Sequence, residues 1–139
     1  MADGFAMLED AHRSIEQQFE TYFHDNEEPL ARTICDALSE HAAVEESALY
    51  PALRRDVRGG DELADTAVDE HAVIKALVAR IVDSPPDSIF DLMTELRRDV
   101  DAHVRVEETE LFVRMRESGV DAERLGDDLA RAESQQPSR

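Results

Sequence analysis

Apolar residues recur at three- and four-residue spacings through most of this chain, the period of a helix face turned towards a core. Phe5, Leu8, His12, Ile15, Phe19 and Phe23 form the first such stripe and predict a helix from about Asp3 to Phe23. A polar turn, Asp25 to Glu28, leads into a second helix with Pro29 in its first turn, where a missing N–H costs nothing. This helix extends to about Val57, and Gly59-Gly60 end it with residues free to take positive φ. Pro51 lies inside it, frees the carbonyl of Ser47 and predicts a bend. A third helix is expected from about Asp61 to Val82, broken by Ser84-Pro85-Pro86-Asp87, and a fourth from about Ser88 to Glu117. Beyond Gly119 a short amphipathic helix, Asp121 to Ala132, sets Leu125 and Leu129 on one face, either to pack across the bundle end or to mediate self-association. Ser134 to Arg139 read as a disordered tail. Short connections between four long helices give an all-α, up-down-up-down antiparallel bundle over residues 1–117, then a short C-terminal helix and tail over 118–139.

The pattern also repeats. His41 to Arg54 reads HAAVEESALYPALR, and His103 to Arg116 reads HVRVEETELFVRMR. Upstream of each, DAHRSIEQQF (10–19) aligns with DEHAVIKALV (69–78), matching His12 with His71 and Ile15 with Ile74. The chain is therefore a duplicated helical hairpin, each copy carrying one His on its first helix and His-x-x-x-Glu-Glu on its second. Residues four apart on a helix lie about 40° apart around its axis, so His41 projects with Glu45 and His103 with Glu107. Imidazole nitrogen and carboxylate oxygen suit iron or manganese without any thiolate. A single His-x-x-x-Glu is common on polar helices as a solvated pair. Four His and two Glu brought to one centre by a twofold arrangement are instead a ligand set for two metals in a four-helix bundle.

Composition narrows the function. Thirty-three acidic against fifteen basic residues leave a formal charge of -18, which repels nucleic acid and anionic lipid and concentrates cations, besides keeping the surface soluble. Cys35 is the only cysteine, so neither an internal disulfide nor a thiolate metal site is expected. The N-terminal MADGFAMLED has no basic region followed by an apolar run, and no apolar stretch is long enough to span a bilayer, so the expectation is a cytoplasmic protein with no membrane partner. His24, past the first stripe at a helix C-terminus, reads as structural or exposed.

Taken together, the His of helix 1, His-x-x-x-Glu-Glu with Leu-Tyr-Pro in helix 2, Glu-His in helix 3 and His-x-x-x-Glu-Glu with Leu-Phe in helix 4 resemble the hemerythrin-like family, the HHE cation-binding domain, over about residues 5–117. The resemblance implies two iron ions bridged by two carboxylates and an oxo or hydroxo group, meeting dioxygen, hydrogen peroxide or nitric oxide. Carried over by position, the ligands are His12, His41, Glu45, His71, His103 and Glu107. Oxygen-carrying relatives take a carboxylate five residues after the helix 4 His, here Glu108. An ideal helix turns Glu108 about 140° from His103, which favours Glu107 and likewise turns Glu46 outward.

One departure stands out. The oxygen carriers have His-x-x-x-His in helix 3, where this chain has His71-Ala-Val-Ile-Lys75, and Lys75 is its only lysine. Lys75 either snorkels to solvent or acts at the site. Glu16, its counterpart in the repeat and four residues after His12, either ligates the iron left short or pairs with Lys75 beside an open position, where the ammonium would stabilise charge developing on a bound oxidant. Ile15, Phe19, Ala48, Ala52 and Val78 are the candidate pocket lining. Tyr22 and Tyr50 are the tyrosines in reach, although helical phase does not turn Tyr50 directly inward.

The function expected first is a redox-reactive di-iron protein that handles peroxide, in the manner of a catalase or peroxidase, or nitric oxide. The alternatives are a reversible dioxygen-binding or sensing module and an iron store or donor, with a metal-free interaction module as the fallback. A monomer or weak homodimer is expected.

Overall fold

In the computed structural model, which describes residues 2–25 and 27–136, helix accounts for every element and no strand occurs among the described residues. Helix α1 (Gly4–Asp25) is capped by the Asp3 carboxylate, which accepts from the backbone N–H of Phe5 at 2.8 Å. The second rod comprises α2 (Glu28–Val44), a π-helical turn (Glu45–Leu49) and α3 (Tyr50–Asp56). Helix α4 (Gly60–Asp83) returns antiparallel. After a 3-10 turn (Pro86–Ser88), the fourth rod repeats the second as α5 (Phe90–Val106), a π-helical turn (Glu107–Leu111) and α6 (Phe112–Glu117). The double proline keeps Ser88 in the 3-10 turn, so the long helix starts two residues later than expected.

The rod that carries Pro51 departs from a regular α-helix. The helix widens before the proline, at Glu45–Leu49, and the same widening occurs at Glu107–Leu111, where Val113 stands in the place of Pro51. Proline therefore does not cause it. In each copy the backbone N–H after the turn, of Tyr50 or of Phe112, bonds back five residues to the carbonyl of Glu45 or Glu107.

Helix α7 (Ala122–Ser134), capped by Asp121, lies along α1 and against the first π turn, so its apolar face is used within the chain. Its approach depends on Gly126, where an added Cβ would collide with the backbone oxygen of Ala2. The chain turns from α3 to α4 at Gly59, whose φ of 77° provides the expected positive-φ position. Ser134, expected to begin a disordered tail, closes α7, and the Gln136 amide donates to the Ala132 carbonyl; residues 137–139 lie outside the described residues. No described helix is long and apolar enough to cross a membrane.

Two apolar clusters fill the bundle. One gathers Phe5, Leu49, Leu53, Phe112 and Met115 under α7, and the other gathers Phe19, Ile34, Leu77, Met93 and Leu96 towards the opposite end. Among the described residues the buried polar and charged side chains are His12, Glu45, His71, His103 and Glu107. Charged groups so deep in an apolar bundle require compensation by one another or by a ligand.

Candidate metal centre

Each rod delivers its histidine or carboxylate as an inward member of an otherwise apolar stripe. His12 on α1 and His41 on α2 meet with Nε2 atoms 3.1 Å apart, and His71 on α4 meets His103 on α5 at 3.0 Å. Glu45 and Glu107 start the two π turns, are fully buried and lie between the imidazole pairs. Each carboxylate is split between the pairs. Glu45 Oε2 lies 3.1 Å from His41 Nε2 while its Oε1 lies 3.1 Å from His71 Nε2. Glu107 Oε1 lies 3.2 Å from His12 Nε2 while its Oε2 lies 3.1 Å from His103 Nε2. Two overlapping groups with metal-ligand spacing result: His12, His41, Glu45 and Glu107, and Glu45, His71, His103 and Glu107.

The donor set fits cations. Two atoms each about 2.1 Å from one ion and at right angles about it lie about 3.0 Å apart, which is the spacing of both imidazole pairs. Glu45 Oε2 and Glu107 Oε1 are buried with no hydrogen-bond partner, a costly state for carboxylate oxygens that a shared cation would relieve. Three of the four imidazoles have Nδ1 against a carboxylate: His12 with Glu108 at 2.6 Å, His71 with Glu46 at 2.8 Å and His103 with Glu70 at 2.7 Å. A proton held at those Nδ1 atoms leaves the Nε2 lone pairs facing one another, an arrangement that a cation between them stabilises.

Electrostatics without metal point the same way. Burial disfavours the charge on His12, but the adjacent Glu107 and Glu45 carboxylates outweigh it and raise its pKa to about 10. The same balance raises His103 to about 11. Burial also disfavours the Glu45 carboxylate, yet the surrounding His41, His103 and His12 hold it well below the usual carboxylate range. This cage attracts positive charge, whether as protons or as metal.

Several expectations are corrected by this geometry. Glu16 is half-exposed and pairs with Arg13 at 2.9 Å, and neither the expected Glu16 ligand nor the Glu16–Lys75 ion pair forms. Lys75 reaches the surface and donates to both Glu46 oxygens, at 3.1 and 2.9 Å, so it touches the centre only through Glu46 and His71. Glu46 points away from its own His41, as its phase requires, but extends sideways to the neighbouring hairpin. Glu108 does the same in the other copy, contacting His12 and Arg13. Of the expected pocket lining, Ile15 borders a void of about 20 Å³ beside the four imidazoles, lined also by Leu38, Ile74, Val100 and Val104. His24 is exposed beside Asp25 in the last turn of α1, and Cys35 is a free, buried thiol.

Tyr50 is the residue whose place the helical phase misjudged. Its hydroxyl lies 2.7 Å from Glu107 Oε2, 3.2 Å from Glu45 Oε1, 3.0 Å from His71 Nε2 and 3.4 Å from His103 Nε2. On a regular helix Tyr50 would lie about 140° from Glu45; the extra residue in the π turn removes about 100° and stacks it over Glu45 as a residue four along would be. Burial and the charges of Glu45 and Glu107 push its phenol pKa well above the ordinary value. No run of residue types announces a π turn, but the conjunction of Leu-Tyr with a second copy reading Leu-Phe marks this position as one where the repeat differs by a single oxygen.

Comparison with curated proteins and with solved structures gave no match. The hemerythrin HHE cation-binding domain matches residues 3–112, from the cap of α1 to the aromatic residue that follows the second π turn. That span contains every residue of the His/Glu cluster, and the chain belongs to the hemerythrin HHE cation-binding family.

Proposed function

We propose that this chain holds two iron ions, one by His12 and His41 and the other by His71 and His103, with Glu45 and Glu107 bridging them. The observation that carries this reading is the division of each buried carboxylate, one oxygen to each imidazole pair. Tyr50 is the further protein oxygen on the His71/His103 side and takes the part of the histidine that oxygen-carrying relatives have four residues after the position of His71. Iron bound there supplies one- and two-electron exchange with small oxidants. The chain's own residues do the rest. Ile15, Leu38, Ile74, Val100 and Val104 line an apolar space with room for about one water-sized molecule, which favours ligands the size of dioxygen, nitric oxide or hydrogen peroxide. Tyr50 keeps a proton at its hydroxyl, directed at Glu107, when no metal displaces it.

Peroxide or nitric oxide handling is the activity this arrangement supports best. Carboxylate and phenol oxygens outnumber the four imidazole nitrogens, and hard oxygen donors stabilise the ferric state, so iron held here in the ferrous state would give up electrons readily to a small oxidant. Reversible dioxygen binding or sensing is the second reading, supported by the small apolar void beside the imidazoles. Elemental analysis after expression with iron, joined to absorption spectra before and after addition of hydrogen peroxide or nitric oxide, tests both. Two irons per chain with catalytic loss of peroxide or consumption of nitric oxide is the expected result. A stoichiometric, reversible spectral change with dioxygen and no turnover would favour the carrier. Protein that takes up one ion or none would overturn the paired centre.

A further inference from the structure

The two halves of the centre are not equally guarded. His71 and His103 both have Nδ1 held by a carboxylate, Glu46 and Glu70, and Tyr50 stands over them. His12 is held by Glu108. Among the described residues His41 Nδ1 has no hydrogen-bond partner, and the His41 side chain is 14% exposed against 1%, 4% and 6% for His12, His71 and His103. The repeat explains the difference. Glu70, which holds His103, precedes His71 by one residue, and the residue that precedes His12 by one is Ala11.

The space that a carboxylate would fill at Ala11 is a cleft of about 400 Å³ between α1, α2 and α7. Ala11, Ile15 and Gln18 of α1, His41 of α2, and Leu129 and Glu133 of α7 line it. Gln18 Oε1 is buried there without a hydrogen-bond partner. This cleft meets the one imidazole whose Nδ1 no described carboxylate holds, and the surface around it belongs to a chain with a net charge of -18.

Building on the paired-metal reading, we infer that the His12/His41 position is the exchangeable half of the centre, where divalent ions enter and leave through the α1/α2/α7 cleft as His41 swings, while the His71/His103 position is retained. Carboxylates behind metal-bound histidines fix ring orientation, and losing one costs about 10- to 100-fold in metal affinity. Among the described residues His41 lacks that restraint and borders open space, whereas both imidazoles of the other half are held by carboxylates.

The test is release of metal from protein loaded with two equivalents of zinc(II), an ion that imidazole and carboxylate accept, into an excess of a chromophoric chelator. Two phases of one equivalent each are expected, the fast one about tenfold or more ahead of the slow. Ala11→Glu, which restores the carboxylate that the other repeat has, should slow the fast phase about tenfold and leave the slow phase in place. Glu70→Ala, which removes that restraint from His103, should speed the slow phase by a similar factor and decides the matter independently if Ala11→Glu fails to fold. A fast phase unchanged in folded Ala11→Glu, a slow phase unchanged in Glu70→Ala, or two equivalents leaving in a single phase overturns the asymmetry while leaving the paired centre intact. Loading that stops at one equivalent overturns both.

Discussion

Tyr50 and Phe112 are the same residue of the two repeats, each the first after a π-helical turn, and they differ by one oxygen. The ring of Phe112 is parallel to that of His12, with centroids 6.3 Å apart, and Tyr50 lies 5.3 Å from the ring of His71. The twofold that the duplication builds into the bundle is therefore broken at the centre itself. One imidazole pair has a hydroxyl over it and the other a hydrocarbon.

Replacing Tyr50 by Phe removes this one difference between the halves. Because Phe112 already fills the equivalent space, the fold should hold, with a stability change of about 1–2 kcal/mol or less from the lost hydrogen bonds. If the phenol oxygen meets ferric iron, wild-type protein has a visible phenolate-to-iron absorption band that Tyr50→Phe lacks. Identical visible spectra of the two iron-loaded proteins would remove Tyr50 from the ligand set.

Glu45 and Glu107 each serve both imidazole pairs, so neither ion should survive loss of a bridge. Glu45→Ala is expected to bind less than one metal per chain, whereas His41→Ala, which strips one ligand from one pair, should keep about one. Metal content measured after removal of loosely bound ions checks both. A Glu45→Ala protein that retains two ions would exclude the bridging role.

The second Glu of each Glu-Glu pair crosses to the other hairpin and holds its histidine. Glu108→Gln and Glu46→Gln should weaken metal binding about 10- to 100-fold without unfolding the chain. Lys75→Met should leave metal loading nearly unchanged, because Lys75 and Glu46 form a partly exposed pair worth about 0–1 kcal/mol. Competition with a calibrated chelator separates these cases.

Metal uptake should release protons. Ligation requires neutral imidazoles, and at pH 7.5 the metal-free protein holds protons on His12 and His103, whose pKa values are raised to about 10 and about 11. At least two protons should appear in solution for each fully loaded chain, measurable by calorimetry in buffers of differing ionisation enthalpy. The sign for stability follows. Histidines with raised pKa stabilise the metal-free fold fully below the ordinary value of about 6.5, and that contribution is lost as pH rises through about 10 to 11. The melting temperature of metal-free protein should therefore fall between pH 7 and pH 10, and that of the loaded protein should fall less.

Gly126→Ala tests the seat of α7. A Cβ there collides with the Ala2 carbonyl, so α7 must shift or detach from α1, and a melting temperature lower by several degrees is expected. Unchanged melting would mean that α7 contributes little to the bundle.

The sequence by itself determined the rods and the inward stripe. Helical period, caps and breakers are local, and His12, His41, Glu45, His71, His103 and Glu107 lie on the apolar faces that any bundle of these helices must bury. It also determined that two similar hairpins meet about a twofold, since the copies align. What only the tertiary structure decided is everything that depends on departures from ideal helical phase or on contacts between hairpins. The π turns rotate Tyr50 by about one residue's step into the centre, against a phase calculation that assumes a uniform helix. Glu46, Glu70 and Glu108 find histidines at sequence separations of 25, 33 and 96, and Glu16 and Lys75, in phase on paper, find surface partners instead. Side-chain reach across a helix interface is several ångströms, enough for an outward carboxylate to serve its neighbour's imidazole, and no one-dimensional pattern encodes which neighbour that will be.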